Sequence, residues 1–101
     1  MPARGEFKTP GGKLIAVEFD VVYGTLRNVV VTGDFFLYPE EALSVLARTL
    51  EGSPASLVRE DYAALIQTEL DAGVELLGSS AEGLATAVVR AIEMSEEHGD
   101  G

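Results

Sequence analysis

The clearest pattern in the chain is the alternation of apolar and polar positions over residues 13–22. A period of two predicts a strand with one buried face. The positions expected to be buried are Ile15, Val17, Phe19 and Val21. Tyr23-Gly24 is the expected hairpin turn, because glycine accepts the positive φ that tight hairpin turns require. Residues 26–32, which are rich in valine, are expected to return as a second strand.

The length of this hairpin loop decides the register of the two strands. An even-numbered loop places Asp20 opposite Arg27 and Val21 opposite Leu26, whereas a three-residue loop shifts the pairing by one position. The sequence leaves both registers open. A further short strand is expected before this hairpin, over residues 6–9, and the turn at residues 10–12 connects it to the hairpin.

After residue 38 the apolar residues recur at the spacing of a helix and no longer alternate with polar residues. Pro39 is expected to start the first helix, with Glu40 and Glu41 in its first turn, where the helix dipole favours acids. A second helix is expected over residues 59–72, ended by Gly73. The inward positions of these two helices are expected to be Leu43, Leu46, Ala47, Leu50, Tyr62, Leu65, Ile66 and Leu70.

A capping box predicts the start of the third helix, with Ser79 as the N-cap and Glu82 reaching back to it. This helix is expected to end near Met94, and residues 74–78 are expected to form a short apolar link before it. Its inward positions are Leu84, Val88, Ala91 and Ile92. The chain therefore reads β-β-β-α-α-α.

The order of elements predicts an α+β fold, with a small antiparallel sheet of about three strands followed by three helices packed on one face. The length of 101 residues suits one domain, which spans residues 1–101 and is expected to be ordered over about residues 6–95. Residues 1–5 are expected to be a loose terminus.

The net charge of −10 argues against a nucleic-acid partner, because such a surface repels phosphate backbones. No apolar stretch approaches the length of about 20 residues that a membrane helix needs, and the N-terminus does not resemble a signal peptide. The chain has no cysteine, so no thiolate is available as a nucleophile or metal ligand. We expect a protein of the cytoplasm without a membrane partner.

The sequence predicts no catalytic site. His98 is the only histidine and lies near the end of the chain, where nothing orients it. The serines have no histidine partner in the ordered sequence, and the pairs of acids lie at helix starts or in the tail, where solvation explains them. No group of residues in the sequence indicates a metal site. The chain is expected to act by binding.

Two short motifs are candidates for that binding. Gly11-Gly12-Lys13 is either a tight turn with an exposed lysine, or a set of amides and an ammonium group that faces an anion on a partner. Gly33-Asp34 is either a turn stabilised by the aspartate, or a polar contact to a partner.

The aromatic run that follows consists of four consecutive apolar or aromatic residues, Phe35-Phe36-Leu37-Tyr38. A strand or turn can bury only some of them. Part of it is expected to pack under the helices, and part is expected to form an exposed patch for a partner. The sequence does not show which of these residues are buried and which are exposed.

These motifs resemble the accessory domain of lipoate–protein ligases, which occurs as a C-terminal domain or as a small subunit. The resemblance consists of the glycine pair that enters a hairpin, the Gly-Asp-Phe-Phe strand exit at residues 33–36, the Pro-Glu-Glu helix start at residues 39–41 and the small helical tail. It covers about residues 7–93. It implies an architecture that iron–sulfur scaffold proteins share, but their role requires the cysteines that this chain lacks.

The resemblance implies a non-catalytic accessory subunit of a split lipoate–protein ligase. Such ligases use ATP to form lipoyl-adenylate and then transfer lipoyl to a lysine of an acceptor domain. The catalytic residues lie in a separate chain, which forms a heterodimer with the small subunit and holds ATP, Mg and lipoate. This chain would bind no cofactor and would catalyse nothing by itself. The residues expected near the partner or its adenylate are Gly11, Gly12, Lys13, Gly33, Asp34, Phe35, Phe36 and Tyr38. The alternative is a self-associating regulatory domain without a ligase role.

Overall fold

Three consecutive strands form the main antiparallel sheet. In the computed structural model, which describes residues 2–11, 13–34, 36–38, 41–77 and 80–99, these strands are β1 (Ala3–Lys8), β2 (Leu14–Val22) and β3 (Thr25–Gly33). They pair in the order β1-β2-β3. β1 starts earlier than expected, since residues 3–5 belong to the strand and not to a loose terminus.

The turn between β2 and β3 has two residues, which confirms the register with Asp20 opposite Arg27 and Val21 opposite Leu26. Tyr23 and Gly24 both have positive φ, 51° and 75°, as the favoured two-residue hairpin turn requires. Val21 was expected to be buried but is exposed. It lies one residue pair from the end of the hairpin, opposite Leu26, and that partner is fully buried.

A β-bulge interrupts the pairing of β2 with β3 between Glu18 and Asp20. The extra residue lies in β3, where Asn28 has a φ of 56°. The amides of Asn28 and Val29 donate to the two carboxylate oxygens of Glu51, at 2.8 and 3.1 Å. This carboxylate therefore satisfies two backbone donors that the irregular strand leaves without a ladder partner.

A second sheet of two strands was not predicted from the sequence. β4 (Phe36–Tyr38) pairs antiparallel with β5 (Glu75–Leu77), so residues 75–77 are a strand and not a link. Three residues are too few for periodicity to distinguish a strand from an apolar loop. Only the pairing with a distant segment identifies β5.

The three helices are α1 (Ala42–Leu50), α2 (Arg59–Asp71) and α3 (Ala81–Gly99). Glu41 precedes α1 instead of lying in its first turn, while Pro39 and Glu40 lie outside the described residues. The start of α3 is capped by Ser80, whose Oγ accepts from the Gly83 amide at 3.1 Å. The expected cap, Ser79, lies outside the described residues. α3 also continues to Gly99, five residues beyond the end expected at Met94.

The core lies between the main sheet and the helices. α3 packs on β1 and β2, α1 packs on β3, and α2 contacts both other helices. The expectation for α1 was wrong at Leu43, which is 39% exposed, because the buried stripe runs through Ala42, Leu46 and Leu50. The predicted α+β fold is thereby confirmed. The largest fully buried side chains are Tyr62, Phe19, Ile15, Leu26, Leu46, Leu50, Ile66, Leu84, Val17, Val31 and Val88.

Candidate functional site

The loop between β1 and β2 carries the first candidate motif. Its ends are joined by two hydrogen bonds: the Thr9 amide donates to the Lys13 carbonyl at 2.8 Å, and the Lys13 amide donates to the Thr9 hydroxyl at 3.1 Å. Gly11 and Lys13 are both exposed, whereas Gly12 lies outside the described residues. The loop therefore has a fixed base and presents its lysine to solvent.

The second motif lies beside the first. Gly33 pairs with Ile15, and the amide of Asp34 donates to the carbonyl of Leu14 at 2.8 Å. Asp34 thus lies one residue from Lys13 across the sheet, and its side chain is exposed. The structure therefore brings the glycine–lysine loop and the Gly33-Asp34 strand exit to the same end of the main sheet.

The aromatic run leads away from this end into the second sheet. Tyr38 pairs with Glu75 and is 69% exposed. Phe36 belongs to β4 and pairs through its backbone with Leu77. Phe35 lies outside the described residues, so the division of Phe35 and Phe36 between core and surface stays a prediction.

The exposed groups of these motifs are suited to contact with a partner. At the end of the main sheet they are the Lys13 ammonium and the Asp34 carboxylate, and in the second sheet the Tyr38 phenol. Across the described ranges, no cluster of three or more His, Cys, Asp or Glu side chains is placed to hold a metal ion. None of the described helices is both long enough and apolar enough to cross a membrane.

A cleft of about 480 Å³ adjoins the glycine–lysine loop and shares Thr9 and Pro10 with it. Its other walls come from the start of α2 and the first turns of α3. The lining residues are Phe7, Thr9, Pro10, Arg59, Ser80, Glu82, Gly83, Thr86 and Arg90.

Two arginines in this cleft escaped the sequence analysis. Arg90 lies over the ring of Phe7, with its guanidinium carbon 5.5 Å from the ring centroid, and donates through Nη1 to the Glu6 carbonyl at 2.9 Å. Arg59 makes a 3.5 Å ion pair with Glu60. These residues come from segments that are distant in sequence, so no local motif links them. Only the packing of α3 on β1 and of α2 on α3 places them together.

The comparisons with known proteins support the resemblance found in the sequence. No protein-family model and no curated protein matches the chain. Among solved structures, it is similar to a chain from the archaeal lipoylation system of Thermoplasma acidophilum, described as a bi-partite lipoate protein ligase and its E2 lipoyl domain. The TM-score is 0.73 and the identity 26%, over 87% of this chain and 94% of that chain.

This similarity covers both chains almost completely, so the two chains are of similar size. It extends to the sequence as well as the fold. The resemblance to a component of a lipoate–protein ligase system is confirmed, and it connects this chain with protein lipoylation.

Proposed function

We propose that this chain is the non-catalytic accessory subunit of a two-chain lipoate–protein ligase. It docks on the catalytic chain and enables the ATP-dependent formation of lipoyl-adenylate. The catalytic chain holds ATP, Mg and lipoate, and the lipoyl group then passes to the acceptor domain. We expect the heterodimer to act in the cytoplasm, where its ATP is supplied.

The observation that carries this proposal is the match over 94% of a chain from a bi-partite lipoate protein ligase system. Similarity in fold and in sequence to a chain of such a system supports a role in protein lipoylation. The exposed groups of the described motifs, among them the Lys13 ammonium and the Asp34 carboxylate, suit recognition of a partner chain.

The proposed mechanism is positional. Docking over the lipoate and nucleotide pocket would exclude water and order the reacting carboxylate against the α-phosphate, which lowers the barrier without a catalytic group from this chain. We assign this contact to the end of the main sheet that carries Lys13 and Asp34, together with Tyr38 in the second sheet. The net charge of −10 favours such a positioning role over direct attraction of ATP.

An accessory subunit and a lipoyl acceptor differ in one testable property. The lipoyl group is transferred to a lysine, and this chain has lysine only at Lys8 and Lys13. Both are exposed. An accessory subunit should leave both side chains unmodified, whereas an acceptor domain would gain the mass of a lipoyl group on one of them.

The decisive experiment measures lipoate-dependent ATP–pyrophosphate exchange by three samples: this chain, a ligase catalytic chain that lacks a C-terminal domain, and the mixture. We expect exchange only in the mixture. Transfer of lipoyl from preformed lipoyl-adenylate should need the catalytic chain alone. Exchange by this chain alone, or a mixture no faster than the catalytic chain, contradicts the proposal.

The alternative function, a self-associating regulatory domain, is favoured by the exposed Tyr38 at the end of β4. It predicts a stable homodimer that buries this residue and ignores the catalytic chain. Sedimentation of the chain with and without the catalytic chain separates the two functions. A heterodimer supports the ligase role, and an unchanged homodimer supports the alternative.

A further inference from the structure

The cleft beside the glycine–lysine loop has a local charge opposite to that of the whole chain. The chain carries 17 acidic and 7 basic residues. The charged residues that line the cleft are Arg59, Arg90 and Glu82, so cations outnumber acids there. A local excess of cations in a concave region attracts anions.

Arg90 is held in place before any ligand arrives. Its guanidinium lies over the Phe7 ring, and one of its nitrogens donates to the Glu6 carbonyl at 2.9 Å. A guanidinium has five N–H donors, so these contacts orient the group and leave donors that can reach into the cleft. A pre-oriented donor loses less side-chain entropy when it binds.

Arg59 provides the second cation from the first residue of α2. Its only described ion pair is the 3.5 Å contact with Glu60, in which both side chains are more than half exposed. Such a pair is weak and easily exchanged. Arg59 is therefore available to turn toward a stronger anion bound in the cleft.

The remaining walls limit which anion fits. Glu82 offsets one of the two arginine charges, so a single carboxylate neutralises the charged lining of the cleft, whereas a doubly charged ion leaves an excess negative charge there. Phe7 and Pro10 add apolar surface suitable for a carbon stem. These features favour a monovalent carboxylate over phosphate.

We infer that the cleft between the β1–β2 loop and the starts of α2 and α3 binds a single carboxylate group, with Arg90 and Arg59 as its ligands. The carboxylate belongs either to an acidic side chain of a partner protein or to a small organic acid, because both present the same group. This inference does not depend on the ligase role.

The test is a titration of the full 101-residue chain with acetate, in which the shifts of the amide NMR signals report binding. Ionic strength is kept constant with chloride, since exposed charge pairs are sensitive to salt. We expect saturating shifts confined to the cleft, including the amides of Thr9 and Gly83. Shifts that are spread over the chain or do not saturate overturn the inference.

Variants identify the ligands. Arg90→Gln and Arg59→Gln should each weaken acetate binding about two- to fivefold, the range of one exposed ion pair. Arg48→Gln removes an exposed arginine that does not line the cleft and should leave binding unchanged. Equal affinities in all three variants contradict the assignment.

One variant should act in the opposite direction, which loss of folding does not imitate. Glu82→Gln removes the repelling charge and should strengthen acetate binding about two- to fivefold. Phosphate should bind the original chain more weakly than acetate at about pH 7, where it carries more than one charge. Tighter binding of phosphate, or no gain from Glu82→Gln, overturns the choice of a carboxylate.

A last comparison separates the two sources of the carboxylate. N-acetylglutamate N-methylamide presents a glutamate side chain between two peptide groups, as a partner protein does. Tighter binding of this compound than of acetate assigns the cleft to a protein side chain, and equal binding assigns it to a small acid. Both results support the carboxylate site.

Discussion

Gly5 of β1 lies directly against the backbone of Ala87 in α3. A Cβ atom on Gly5 would overlap the Ala87 carbonyl oxygen and fall 2.5 Å from the amide nitrogen of Ala91. The absence of a side chain therefore allows α3 to approach the sheet at backbone distance. The buried face of α3 complements this contact with alanines at positions 85, 87 and 91.

Replacing Gly5 with alanine should destabilise the domain by about 3 kcal/mol, toward the upper end of the range for overpacking, because backbone atoms would have to move. The measurement is the urea midpoint. Gly11→Ala is the matched control, since no atom lies within 4 Å of its added Cβ. Its effect should stay under about 0.5 kcal/mol. Equal effects of the two substitutions would contradict the close approach.

The same contact explains why the start of β1 was missed in the sequence. The segment Ala3-Arg4-Gly5 contains no large apolar residue, so alternation of large and polar positions does not reveal it. Ala3 and Gly5 are both buried, and β1 packs against α3, which approaches Gly5 at backbone distance. Small residues that are buried because another element packs closely on them can be recognised as a strand face only when that element is known.

Helix faces were easier to predict. Leu84, Val88, Ala91 and Ile92 are buried as their spacing indicated, because a period of 3.6 over several turns defines one face. α1 is short, and its start was placed at Pro39 instead of Ala42. Leu43 was assigned to the buried stripe although the stripe passes beside it.

Leu46→Ala tests the observed face of α1. Leu46 is fully buried, so its truncation should cost about 2–5 kcal/mol of unfolding free energy. Leu43→Ala makes the same chemical change on the same helix at a position that is 39% exposed, and should cost under about 1 kcal/mol. Chemical denaturation of both variants measures the difference. A loss at Leu43 as large as the loss at Leu46 would restore the face expected from the sequence.

Glu51→Ala tests the β-bulge in β3. Both carboxylate oxygens of Glu51 accept from backbone amides, so its removal leaves the Asn28 and Val29 donors without this acceptor. Hydrogen bonds to a charged group contribute about 1.5–3 kcal/mol, and we expect a destabilisation in this range. Glu93→Ala, at an exposed position of α3, is the control. Amide hydrogen exchange at Asn28 and Val29 should accelerate in the Glu51 variant alone.

Tyr62 should make the unfolding free energy of the domain fall at alkaline pH. Burial is the main cause that raises its pKa above the usual 10.0; the charge of Asp61 adds to the increase and a hydrogen bond with the Leu57 backbone opposes it. The unfolded chain therefore releases this proton at lower pH than the folded chain. The stabilisation is complete below about pH 10 and is lost as pH rises through the folded pKa.

The measurement is the unfolding free energy of the chain and of Tyr62→Phe, compared from neutral pH to above pH 10. Phenylalanine cannot ionise, so the variant should lose less stability across the alkaline range. It should also start lower, because it lacks the hydroxyl hydrogen bond to the Pro54 carbonyl. Parallel curves for the two proteins would show that Tyr62 does not titrate with unfolding.

The candidate surface was predicted in its parts but not in its assembly. Gly11, Lys13, Gly33 and Asp34 were selected individually from turn chemistry. Their common location follows from the pairing of Ile15 with Gly33, which depends on strand register. The arginine cleft was not predicted at all, since it depends on the packing of α3 and on the position of α2.

Lys13→Glu is the sharpest test of this surface in the proposed complex. Lys13 is exposed on a loop whose base is fixed by Thr9, and Asp34 lies beside it. Charge reversal should therefore change the docking contact without loosening the fold. If this end of the sheet covers the adenylate pocket, formation of lipoyl-adenylate should slow more than transfer from preformed lipoyl-adenylate.

Arg48→Glu is the control, because it makes an equal change in charge near the other end of the sheet. There α1 ends beside the bulge at Asn28, so this variant should affect neither step. Pyrophosphate exchange and acceptor lipoylation measure the two steps separately. Unchanged rates in the Lys13 variant would remove the loop from the docking surface.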